Sequence, residues 1–135
     1  MLAVVYGADR IERMGDLARH VAEAVCRAHP HPAVPTAVMP VFEELGRATV
    51  GMGRQLTMML ADGGGVSFEL LRDADEHVDR LHEGLMRRIE GPNWEHGVSA
   101  AVQAALLARF YERFGDQIVS VARRLDFART GELAP

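Results

Sequence analysis

Four stretches of this chain repeat apolar residues at steps of three and four, and short breaks rich in proline or glycine separate them. The stretches cover about residues 2–28, 35–61, 67–90 and 95–130. In the second, Val38, Phe42, Leu45, Thr49, Met52, Leu56 and Met59 alternate steps of four and three, the seam of an antiparallel bundle helix. Leu71, Ala74, Val78, Leu81, Leu85 and Ile89 form the same seam in the third. In the fourth, Leu107, Phe110, Phe114, Ile118, Val121 and Leu125 mark a stripe of large residues. His29-Pro30-His31-Pro32 cannot continue a helix, because proline lacks the amide donor and restricts the residue before it. Asp62-Gly63-Gly64-Gly65 supplies a helix end and turn, Ser67 a cap for the next helix, and Gly91-Pro92-Asn93 the last break. Loops this short make neighbours antiparallel, so the pattern predicts an all-α fold over residues 1–135. Its architecture is an antiparallel up-down bundle of four long helices.

The pattern also carries an internal echo. Ile11-Glu12-Arg13-Met14-Gly15-Asp16 matches Tyr111-Glu112-Arg113-Phe114-Gly115-Asp116 at an offset of 100 residues. Ala8, Val21 and Ala22 find Ala108, Val121 and Ala122 at the same offset. That distance fits a duplicated block of three helices, of which this chain holds the last helix of one block and all of the next. Gly15 and Gly115 fall inside helices, where glycine costs about 1 kcal/mol against alanine. Close approach of a helix or a ligand is the expected compensation.

The carboxylates are spaced with intent. Glu12/Asp16, Asp75/Asp79 and Glu112/Asp116 are i,i+4 pairs, which places each pair on one helix face with mutual repulsion. A cation would relieve that repulsion, and inward carboxylates are how bundles hold metal ions. A solvated acidic face is the other reading, above all for Glu12 and Asp16, which have Arg13 and Arg19 close by. Glu112 and Asp116 share their face with Ala101, Ala105, Ala108 and Val119, so that helix is apolar on two sides and enclosed. His82 completes a D-x-x-x-D-x-x-H run as a further ligand, or is a partly buried spacer. Arg13 and Arg113 pair with carboxylates of adjacent helices or complete an anion site.

Composition narrows the function classes. All 15 cationic residues are Arg, which excludes Schiff-base lysine chemistry and a P-loop. A formal net charge of −4 argues against a general nucleic-acid binder. The single Cys26 excludes a cysteine zinc site and points to a reducing, cytoplasmic setting. No apolar run reaches the roughly 20 residues that cross a bilayer, so membrane contact is peripheral at most. The absence of Glu-x-x-His disfavours a ferritin-type oxidase, and no nucleophile motif is present.

These residues resemble the PhoU family of phosphate-uptake regulators. The segment Leu106 to Arg124, with Thr130-Gly131-Glu132 after it and Asn93 to Val98 before it, is similar to the last helix of actinobacterial members. Asp9 to Ala18 resembles the equivalent helix of the family's first repeat. The resemblance implies two three-helix bundles, of which the first two helices are missing here. It also implies multinuclear iron or zinc held by E/D-x-x-x-D motifs, matched at Asp75, Asp79, Glu112 and Asp116 in one bundle and at Glu12 and Asp16 from the other. Gln117 stands where the family often has His.

The function implied is that of a non-enzymatic cytoplasmic adaptor between a phosphate ABC transporter and a sensor histidine kinase, restraining uptake and the starvation response. A homodimer is expected to cover the bare faces of the first helix. Two alternatives are a metal-free helical interaction module and a carboxylate-bundle metal-binding protein or enzyme.

Overall fold

The computed structural model describes residues 2–62 and 66–131. Four α-helices account for most of them: α1 (Leu2–Ala28), α2 (Met39–Asp62), α3 (Phe68–Glu90) and α4 (Gly97–Thr130), with a 3₁₀ turn at Thr36–Val38. The fold is the all-α bundle that the periodicity predicts. Every residue of the second predicted seam is buried, from Val38 in the 3₁₀ turn to Met59 in α2, Thr49 included. Thr49 satisfies its hydroxyl by donating to the Leu45 carbonyl at 2.8 Å.

The helix ends follow from local chemistry. Residues 36–38 wind as a 3₁₀ turn, and α2 begins at Met39, so that Pro40 falls in its first turn where a missing amide donor costs nothing. Ser67 caps α3, its hydroxyl oxygen accepting from the Leu70 amide at 3.3 Å. α4 starts at Gly97, whose φ of +81° suits glycine. The Trp94 indole lies in the preceding loop and donates to the Gly97 carbonyl at 2.8 Å. At the far end Gly131 takes the left-handed conformation, its amide donating to the Phe127 carbonyl at 2.8 Å. The expected turn at Gly63-Gly64-Gly65 lies outside the described residues.

α4 is the organising helix. It packs against α1, α2 and α3, while α2 also packs on α3. His77 Nε2 and Glu44 Oε1, 3.1 Å apart, link α3 to α2. α1 runs antiparallel to α4, as its contacts show. Arg10 donates to Gln117 Oε1 at 3.0 Å, and His20 stacks on Phe110 with ring centroids 5.2 Å apart.

The two halves of the sequence echo therefore lie against each other, but only one is fully clothed. Ala108, Gly115 and Ala122 of α4 are buried, whereas Ala8, Gly15 and Ala22 of α1 are exposed. Leu2, Val4, Val5 and Val25 add apolar surface to α1, each more than half exposed.

Candidate metal centre

The acidic pairs of α3 and α4 meet because α3 crosses α4 at a glycine. A Cβ on Gly115 would stand 2.5 Å from Asp75 Oδ1 and 3.6 Å from Met52 Cε. Only a residue without a side chain lets the Asp75 carboxylate lie against the α4 backbone, which is the compensation the sequence calls for at this glycine. Gly15 has nothing within 4 Å, so the same motif in α1 has no partner to admit.

Asp75, Asp79 and Asp116 each bring a carboxylate oxygen within 4.8 Å of the others. Asp75 Oδ1 is buried and accepts no hydrogen bond. An orphaned acceptor among acids is unfavourable unless a proton or a cation serves it. Burial, and then the charges of Asp79, Asp116 and Glu112, push the Asp75 carboxyl up to about 7. Asp79 is raised as well, first by burial and then by Asp116. The donor set is hard oxygen, the chemistry that binds a divalent or trivalent cation, so these residues fit a carboxylate-held metal.

Glu112 and His82 stand at the rim. Glu112 accepts from Arg109 Nη1 at 2.6 Å, and burial together with hydrogen bonding to Asp116 raises its pKa. His82 is held below its usual pKa by burial and then by Arg109, with Asp79 opposing; it is outside the trio of converging oxygens.

The structure keeps Glu12 and Asp16 apart from this cluster. Both are exposed on α1; Asp16 faces Arg19 at 3.5 Å, and Arg13 donates to Asp9 at 3.1 Å within its own helix. Arg113 makes no ion pair within 4 Å among the described residues and instead lines a groove beside the cluster. Arg109 was not singled out by sequence reasoning, although its i,i+3 spacing to Glu112 carries the signal for that pairing.

A PhoU domain model matches residues 42–125, which take in all of α3 and most of α2 and α4, the elements that build the cluster. The chain belongs to the PhoU family. Its curated relatives include the phosphate-specific transport system accessory protein PhoU homolog 2 of Mycobacterium tuberculosis, 42% identical over 90% of this chain and 57% of the relative. PhoU homolog 1 of Mycobacterium leprae is 41% identical over 90% of this chain and 54% of its own length. A PhoU homolog of Deinococcus radiodurans is 33% identical, with 90% of this chain and 57% of the relative covered. This PhoU-family chain thus spans just over half the length of the curated relatives it matches. No solved structure matches it.

Proposed function

We propose that the chain is a PhoU-type negative regulator of phosphate uptake and of the phosphate-starvation response, acting as an adaptor between a phosphate ABC transporter and a sensor histidine kinase in the cytoplasm. The observation that carries this reading is its similarity, over 90% of its length, to proteins named as phosphate transport accessory proteins. A helical bundle offering long rigid faces suits a docking role, and no helix among the described residues is long and apolar enough to cross a membrane.

In this reading the protein binds and does not catalyse. Asp75, Asp79 and Asp116, with Glu112 beside them, hold iron or zinc, and the orphaned Asp75 oxygen supports that assignment. The metal, when bound, supplies positive charge that joins α3 to α4; the carboxylates position it, and Gly115 gives Asp75 the room to reach it. Glu12 and Asp16 belong to a second half-site, which needs acidic partners from another segment or another copy.

The bare α1 face favours a further role in self-association. A homodimer that covers Val4, Ile11 and Val25, which share one face of α1, would appear in light scattering after gel filtration, and Ile11→Glu/Val25→Glu is expected to reduce it to monomer. A metal-free interaction module is the second reading, supported by the same exposed face.

The regulator reading is tested in cells. Tagged protein is expected to capture the ATPase subunit of a phosphate transporter or a sensor kinase, and its overproduction to lower a starvation reporter under phosphate limitation. Failure to capture either partner, with an unchanged reporter, contradicts it.

A further inference from the structure

Beside the acidic cluster, α1 and α4 enclose an open polar groove of about 930 Å³. Its walls carry five arginines: Arg10 from α1, and Arg109, Arg113, Arg123 and Arg124 from α4. In a chain of net charge −4 this is a local concentration of positive charge. Only Arg109 is neutralised by a carboxylate within 4 Å, that of Glu112; the other four have none among the described residues. Asp75 and Asp116 also line the groove, midway along its length between Arg113 and Arg123.

Four of the five guanidiniums have a partner that holds them, Arg109 through Glu112 and the others as follows. Tyr6 is flanked by two of them, with Arg10 Cζ 4.7 Å and Arg124 Cζ 4.4 Å from its ring centroid. Arg123 lies over the Phe68 ring at 5.5 Å. Arg10 Nη1 is fixed by Gln117, yet its Nε is buried without a hydrogen-bond partner. Arginines fixed by aromatic faces, and not by carboxylates, keep their charge and their donors for a ligand.

The layout indicates which ligand. Arg109, Arg113, Gln117, Ser120 and Arg124 follow one another at steps of four or three along a single face of α4, and all line the groove. At 1.5 Å per residue this stripe is about 22 Å long, far beyond the reach of one tetrahedral anion. A guanidinium fork matches phosphate oxygens in pairs.

We propose that this groove binds a condensed-phosphate chain, either free as inorganic polyphosphate or as the phosphate tail of a nucleotide, with Arg10, Arg113 and Arg124 as its principal contacts. The proposal does not depend on metal at the acidic cluster, so its test uses the 135-residue chain freed of metal with a chelator that is then removed.

Calorimetric titration with sodium triphosphate is expected to show one site per chain, bound at least tenfold more tightly than orthophosphate. Arg10→Gln, Arg113→Gln and Arg124→Gln should each weaken it on the order of tenfold. Arg113→Lys should recover part of the loss, and Arg80→Gln, on the exposed face of α3, should change nothing. ATP binding as tightly as triphosphate assigns the nucleotide source; triphosphate alone assigns the inorganic chain. The proposal is overturned by absence of triphosphate binding at millimolar concentration, or by equal affinity in Arg10→Gln and Arg124→Gln. Tighter binding of an acidic peptide, or binding to anionic vesicles without binding of triphosphate, also overturns it.

Discussion

Gly115→Val is expected to cost about 2 kcal/mol of stability, the penalty of forcing branched carbon into a filled site. Its Cβ would stand 2.5 Å from Asp75 Oδ1, with Met52 Cε closing the space from α2. The Asp75 carboxylate must then swing away, and the three converging oxygens disperse. Gly115→Ala separates the two effects. Its gain in helix propensity, about 1 kcal/mol, offsets the displacement of Asp75, so stability stays near wild type while the carboxylate cluster is broken. Gly15→Ala, the echo position in α1, meets nothing within 4 Å and is expected to stabilise by about 1 kcal/mol. Urea unfolding of the three variants checks the series. Equal effects at the two glycines would show that the α3–α4 crossing does not distinguish them.

Asp75→Asn is expected to stabilise the metal-free protein at pH 8 and to change how stability depends on pH. The folded-state value of about 7 lies above the ordinary aspartate value of 3.8, so between about pH 4 and 7 the folded state holds a proton that the unfolded chain has released. Stability contributed by this group therefore falls as pH rises through that window and levels off above it. Asparagine removes both the titration and the repulsion with Asp79 and Asp116. The site is half open to solvent, which screens the charges, so the gain at pH 8 is about 1 kcal/mol. Thermal unfolding of both proteins in chelator from pH 5 to 8 measures it. A wild-type profile parallel to that of Asp75→Asn would remove the basis for a strained acidic cluster.

The helices were legible because their signals are local. Seven seam residues at alternating steps, Val38 in the 3₁₀ turn and six in α2, leave no ambiguity about which face is inside, and all seven are buried. Proline and glycine marked the breaks by backbone chemistry alone. The enclosure of Glu112 was legible too, since small residues on a second face of α4 require a second neighbour, which proves to be α3.

The sequence separated the two copies of its echo only in part, giving Glu12 and Asp16 the more solvated setting but drawing no difference between Gly15 and Gly115. Gly15 and Gly115 sit in the same Glu-Arg-x-Gly-Asp motif, yet Gly115 lies against Asp75 and Gly15 is open, because burial depends on α2 and α3 packing on α4 and not on α1. The arginine groove was missed for a related reason. Arg10 is more than 100 residues from Arg113 in sequence, and only the antiparallel pairing of α1 with α4 brings them to one wall.

In the proposed role Asp75, Asp79 and Asp116 form one metal-binding unit at the α3–α4 crossing. Elemental analysis of protein reconstituted with iron or zinc, beside the Asp79→Ala/Asp116→Ala variant, tests this most directly. Bound metal in stoichiometric amount is expected in the wild type, and its loss in the variant. No metal in either protein, or equal metal in both, would contradict it.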